Sequence, residues 1–104
     1  MNTPRELTER ISMDMRSAMK ARDRTKAEAL KALLARFSNA EAVPTDQYRN
    51  DTEVARKSLA LSDLYTILDD EINELQQAAE QFDRQSEYRV ELEQKIAILM
   101  QYQD

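Results

Sequence analysis

Not one of the 104 residues is glycine, and only two are proline. These two residues are the ones that most often interrupt helices and form tight turns. The chain is instead rich in Ala, Leu, Glu, Gln, Lys and Arg, which favour helix along most of its length. The sequence therefore predicts an all-α fold, a small helical bundle.

The length and composition of the chain predict a single domain over residues 1–104 with one modest core. Hydrophobic residues make up 41% of the sequence and charged residues 34%, which is typical of a water-soluble protein. The longest apolar runs are only a few residues, too short for a signal-peptide core or a membrane-spanning helix. We therefore expect a cytoplasmic protein without a membrane partner.

Capping residues and the spacing of apolar residues predict four helices. Pro44 and the turn-forming residues around it predict an internal linker over residues 43–60. The last two helices are expected to form a long antiparallel hairpin. Because no strong helix-breaking residue lies between them, the alternative is one continuous helix over residues 62–102. The predicted helices lie near residues 4–22, 24–42, 62–82 and 86–102. The candidate N-caps are Thr3, Asp23 with Thr25, Ser62 and Ser86.

Apolar residues that recur every three or four positions predict which side of each helix faces the core. Four methionines are expected to fill gaps in that core, namely Met13, Met15, Met19 and Met100, and the tyrosines are expected to pack rather than to act as acids. The predicted core residues are Leu7, Ile11, Met15, Ala18, Met19, Leu30, Leu33, Leu34, Phe37, Leu64, Ile67, Leu68, Ile72, Leu75, Ala79, Phe82, Tyr88, Leu92, Ile96 and Leu99.

The sequence contains no cysteine and no histidine. It therefore lacks a thiolate nucleophile, the commonest general base and the usual nitrogen and sulfur ligands of zinc. Without glycine, a phosphate-binding loop of either nucleotide-binding type is also excluded. The acidic residues of segment 69–74 fan around a helix and are expected to be solvated rather than to hold a cation. We expect no catalytic residues, no metal, no cofactor and no small-molecule substrate.

Charge is distributed unevenly along the chain, whose net charge is −5. Residues 1–36 carry a net charge of +4, and residues 37–104 a net charge of −9. Such polarity can orient a partner or align antiparallel subunits, although solvated helix faces are the simpler interpretation. The candidate contact residues for a partner or RNA are Lys20, Arg24, Lys31 and Arg36. The first three are expected to share one helical stripe with Ala27 and Ala35. Pairing of these cations with the acidic half, within the fold or in a dimer, is the alternative.

Short motifs follow one another in a set order between residues 7 and 102. They are Ala18-Met19-Lys20, Asp23, Leu30-Lys31 and Asn39, then Leu68, Glu71-Ile72, Phe82, Ile96, Leu99 and Tyr102. In this order and spacing the chain resembles the N-terminal helical domain of the YqeY family. These small bacterial proteins are related to the tail of the B subunit of glutamine-dependent tRNA amidotransferase. The resemblance implies a helical bundle with a long hairpin, and a link to carbon–nitrogen ligase chemistry with glutamine as amido donor.

The chain departs from the family pattern at three places. It ends at Asp104, where family members continue into a second helical domain. Residues 73–77 replace a basic run, and residues 83–86 replace a glycine-containing turn. The first two departures argue against direct tRNA binding. The leading hypothesis is thus a non-catalytic accessory or protein-interaction module, linked to the amidotransferase through a partner. The alternatives are an RNA- or tRNA-binding domain that uses the basic second helix, and a structural helical oligomer.

Overall fold

The computed structural model describes residues 3–42 and 59–103. In these two ranges the chain forms α1 (Pro4–Lys20), α2 (Arg24–Glu41), α3 (Leu61–Ala79) and α4 (Glu87–Met100), and no strand. The predicted all-α fold is confirmed, and residues 80–86 separate α3 from α4, which excludes the single long helix. The predicted linker, residues 43–60, lies outside the described residues except for its last two positions.

The four helices form two hairpins that share one core. α1 packs mainly on α2, and α3 packs mainly on α4, while α2 lies against both helices of the second hairpin. One cluster of buried side chains draws members from all four helices, so the two hairpins are held together by apolar burial. Its members are Leu7, Ile11, Ala29, Leu30, Leu33, Phe37, Leu64, Leu68, Ile72, Ile96, Leu99 and Tyr102.

Three of the predicted caps are observed. The hydroxyl of Thr3 accepts from the backbone N–H of Glu6 at 3.1 Å, and the carboxylate of Asp23 accepts from Lys26 at 3.2 Å. Ser86 caps α4 by accepting from the backbone N–H of Tyr88 at 3.3 Å. Each bond satisfies an N–H group that has no partner within the helix.

Two cap predictions were wrong. Thr25 lies inside α2, because Asp23 already occupies the capping position. α3 begins one residue before Ser62, and its N-cap position is Ala60. There the carboxylate of Asp63 reaches back and accepts from the backbone N–H of Ala60 at 2.9 Å. Asp63, in the first turn of α3, therefore provides the capping hydrogen bond that was predicted for Ser62.

Several residues that were predicted to be buried are exposed. Phe82 and Tyr88 lie beyond the shared core, whose members in the second hairpin end at Ile72 and resume at Ile96. Their rings pack on each other instead, with centroids 5.6 Å apart. Three of the four methionines expected in the core, Met13, Met19 and Met100, are also exposed. Met13 and Met100 lie on outer faces of their helices, next to buried neighbours, whereas the spacing of Met19, Phe82 and Tyr88 gave the helix face but not how far along the helix the core extends.

Tyr102 ties the end of α4 to α1. Its side chain is buried, and its hydroxyl donates to the carboxylate of Asp14 at 2.6 Å. The guanidinium of Arg10 lies 5.8 Å from the centre of the tyrosine ring, within reach of a cation–π interaction. Burial, together with the bond to Asp14, raises the pKa of the Tyr102 hydroxyl above its ordinary value. The fold therefore favours the protonated phenol.

Replacement of Tyr102 by phenylalanine is expected to have two effects. At pH 8 the lost hydrogen bond lowers the free energy of unfolding by about 1 kcal/mol. Because the folded protein raises the tyrosine pKa, the wild-type chain loses stability as pH rises above about 10. The variant lacks that contribution, so its stability falls less steeply. Urea unfolding of both proteins between pH 8 and 11 measures the difference, and parallel curves would contradict this role of Tyr102.

Candidate functional site

The turn between α1 and α2 is built without glycine. Arg22 takes the left-handed conformation, with φ at 59°, a position that glycine occupies most readily. The N–H of Asp23 donates to the carbonyl of Ala18 at 2.8 Å, and the N–H of Arg22 donates to Met19 at 3.2 Å. These two bonds form a Schellman motif, which satisfies the last carbonyls of α1. The turn is therefore well defined and holds the side chains around it in place.

A shallow groove lies where the two helices meet this turn. It encloses about 440 Å³ and is lined by Ala18, Met19, Arg22, Asp23, Arg24 and Ala27, which we call the basic groove. The small alanines allow the two helices to approach, and the thioether of Met19 covers one side while remaining 62% exposed. The carboxylate of Asp23 is engaged in capping α2. The groove therefore offers an apolar floor with a cationic rim.

The predicted contact residues do not form one stripe. Lys20 is the last residue of α1, whereas Arg24 and Lys31 lie on α2, where their seven-residue spacing places them on one face. All three are exposed. The predicted stripe was wrong because the left-handed residue Arg22 reverses the chain between Lys20 and Arg24. Lys20 and Arg24 instead lie at the two ends of the same turn.

An ion-pair network links the rim of the groove to α4. The guanidinium of Arg24 donates to Glu28 at 2.9 Å, and Glu28 lies 3.6 Å from the ammonium of Lys95 on α4. The hydrogen bond from Arg24 lowers the pKa of Glu28, which favours the ionised carboxylate. The side chain of Arg24 remains 89% exposed. It can thus face a partner while being held in a preferred position.

Arg36 has a different environment from the other predicted contact residues. Its guanidinium donates to Glu71 at 2.9 Å and to Glu74 at 2.6 Å, both on α3. The side chains of Arg36 and Glu71 are only 31% and 15% exposed. The hydrogen bond to Glu71 raises the pKa of Arg36. Arg36 therefore joins the two hairpins, which is the structural pairing with the acidic half that the sequence left open.

The acidic segment 69–74 is divided between several contacts. Glu71 and Glu74 bind Arg36, and Asp69 accepts from the side-chain amide of Gln103 at 3.0 Å. Within residues 3–42 and 59–103, no group of three acidic side chains is placed to hold a metal ion.

No helix in those ranges is long and apolar enough to cross a membrane.

The connection between α3 and α4 carries a second exposed surface that sequence reasoning missed. Phe82 and Tyr88 form its aromatic pair, and the guanidinium of Arg89 donates to the carbonyl of Phe82 at 3.0 Å. Arg89 is also paired with Glu93 at 2.9 Å. The spacing of both rings continues the buried face of each helix and therefore predicts a place in the core. Whether such a residue is buried or exposed depends on where along the hairpin the core ends, and the sequence does not show this.

Comparisons of the chain with protein-family models, with curated proteins and with solved structures found no match. The resemblance to YqeY proteins rests on the order of short sequence motifs and stays a prediction.

Proposed function

We propose that this chain is a non-catalytic protein-interaction module, and that the basic groove binds an acidic amphipathic helix of a partner protein. The observation that carries the proposal is Met19, a large apolar side chain held exposed beside the alanine floor of the groove. Helices commonly bind in such grooves through apolar anchors, and methionine adapts its shape to them.

The charges around the groove favour an acidic partner. Residues 20–26 contain four Lys or Arg and one Asp, and that Asp is engaged in capping. Cations on the rim of an interface attract a complementary partner and orient it as it approaches. An apolar anchor at the centre and charges at the rim are the usual arrangement of a protein interface.

The conformation of Arg22 gives independent support. A non-glycine residue in the left-handed region costs about 1–2 kcal/mol, which glycine would largely avoid. The chain nevertheless has arginine at this position, and its side chain lines the groove. Strain of this kind is often retained where a side chain is needed for function. A contact role for the Arg22 guanidinium accounts for its presence.

The link to tRNA amide transfer belongs to the same proposal. If the resemblance to YqeY proteins is correct, the partner is a component of a glutamine-dependent tRNA amidotransferase, and the chain acts as its accessory. Direct RNA binding is less well supported, since no aromatic residue lies among the cations of the groove to stack on a base.

The experiment compares two methionines of α1 that are equally exposed. Met19 lies in the groove and is 62% exposed, whereas Met13 is 64% exposed and lies outside it. The probe is a fluorescent synthetic helix with Leu along one face and Glu along the other. We expect Met19→Glu to weaken binding about tenfold or more, as for a central anchor, and Met13→Glu to leave it nearly unchanged. Equal effects of the two substitutions would contradict the groove as the binding surface.

A second titration with bulk tRNA separates the two kinds of partner. An RNA-binding surface gives affinity that falls steeply between about 50 and 200 mM salt and is sequence-tolerant. We expect the wild-type chain to bind the acidic helix in this range and tRNA weakly or not at all. Tight tRNA binding that is lost in Lys20→Glu with Arg24→Glu would favour the RNA-binding alternative instead.

A further inference from the structure

The basic groove and the connection between α3 and α4 lie at the same end of the molecule. Lys95 of α4 lies 3.6 Å from Glu28, one turn after Arg24 in α2, and 3.9 Å from Glu91, one turn earlier in α4. Tyr88 lies one helical turn before Glu91 and stacks on Phe82, so the aromatic pair is close to the groove. One end of this protein therefore presents two exposed surfaces side by side.

The second surface is acidic and aromatic. We call residues 80–88 the hairpin tip, and it carries Glu80, Asp83 and Glu87 against Arg84, while Arg89 next to it is paired with Glu93. All four charged side chains of the tip are exposed, as are Phe82 and Tyr88. An exposed aromatic pair on a segment with an excess of carboxylates has the chemistry that suits the basic groove, which is apolar at its floor and cationic at its rim.

A chain's own hairpin tip does not occupy its groove. The groove is lined only by residues of α1, α2 and the turn between them. The contacts of α4 with α2, including the pair Lys95–Glu28 at 3.6 Å, fix the second hairpin beside the first. The complementary tip therefore has to come from another molecule.

We propose that two copies of this chain associate about a two-fold axis, with the hairpin tip of each in the basic groove of the other. The inference rests on the proposed function, because it assigns a specific acidic partner to the same groove. Two complementary surfaces at one end of a molecule suit such an arrangement, since a two-fold axis forms both contacts at once. The pair also brings four exposed aromatic rings and two exposed Met19 side chains out of water.

The response to salt follows from the charges. Each copy carries a net charge of −5, so association driven by apolar contacts alone is strengthened when salt screens the repulsion. Contacts between the basic groove and the acidic tip act over a shorter distance and are weakened by salt. We expect the dimer to dissociate more readily as salt rises, and strengthening by salt would overturn the pairing of these two surfaces.

Charge reversal on the two surfaces tests the pairing directly. Arg24→Glu and Glu87→Arg are each expected to weaken dimerisation about tenfold or more, measured by sedimentation equilibrium up to about 1 mM protein. An equimolar mixture of the two variants is expected to recover dimers, because in the mixed pair each reversed charge faces its opposite. Arg5→Glu, outside both surfaces, is the control and is expected to dimerise as the wild type does.

The dimerisation experiment and the helix-binding experiment can fail independently of each other. A wild-type chain that stays monomeric over the whole range overturns the dimer, and so does a mixture that fails to recover. Binding of the acidic helix is measured at protein concentrations where the chain is monomeric. If the helix binds through Met19 while no dimer forms, the groove is retained and only the second copy is rejected. If neither association occurs, both proposals fail.

Discussion

Replacing Leu33 with alanine is expected to lower the free energy of unfolding by about 3–5 kcal/mol. Leu33 is fully buried in the cluster that all four helices share, so the substitution leaves a cavity where the two hairpins meet. Domains of this size are stabilised by only about 5–15 kcal/mol in total. The loss therefore removes a large share of the stability of the fold. If the wild-type stability is near about 5 kcal/mol, a fraction of the variant molecules is unfolded even without denaturant.

Urea unfolding followed by circular dichroism measures this change. The control is Met13→Ala, on an exposed face of α1, which is expected to alter stability by no more than about 0.5 kcal/mol. Comparable losses for the two variants would contradict a shared core centred on the contact between the hairpins. A large loss at Leu33 alone would support it.

Replacing Arg36 with glutamate is expected to cost about 2 kcal/mol of stability. The substitution removes the cation between Glu71 and Glu74 and adds a third negative charge where α2 meets α3. Because Glu71 is largely buried, its carboxylate loses its cation in a place that water reaches poorly. Part of the loss is expected to be regained at high salt, which screens the repulsion of the carboxylates.

Lys31→Glu provides a control with the same change of charge on the same helix. Lys31 is exposed and makes no ion pair within residues 3–42 and 59–103. We expect its substitution to change the free energy of unfolding by no more than about 0.5 kcal/mol. Thermal unfolding of both variants at low and high salt makes the comparison. Equal losses would show that Arg36 has no special structural role.

Much of the fold follows from local rules. The four helices, the caps at Thr3, Asp23 and Ser86, and the burial of residues such as Leu30 and Leu33 were all predicted. These features depend on neighbours within one or two helical turns, which the sequence displays directly. The break between α1 and α2 was also predicted, but the left-handed conformation of Arg22 was not, because the usual signal, a glycine, is absent.

The rest depends on how the helices pack against each other. Arg36 and Arg24 are alike in the sequence, yet the first binds Glu71 on α3 and the second remains exposed. Met15 packs against the core whereas Met19, four residues later, is exposed, because the shared core ends between them. Periodicity assigns a residue to a face of its helix. It does not say where along that face the neighbouring helix ends.

The contribution of charge at the basic groove can be tested on two arginines in matched surroundings. Arg24 and Arg5 each lie in the first turn of a helix, donate to a glutamate four residues on at 2.9 Å, and are 89% and 87% exposed. Substitution by glutamate removes the same kind of ion pair in both, so any difference reports the location of the side chain.

The measurement is the affinity of each variant for the acidic amphipathic helix at low salt, by fluorescence anisotropy. A protein-contact surface at the basic groove predicts that Arg24→Glu binds about tenfold more weakly than the wild type, while Arg5→Glu binds as the wild type does. If the two variants bind the helix equally well, the cations of this chain act only through its overall charge. The groove would then not be its contact surface.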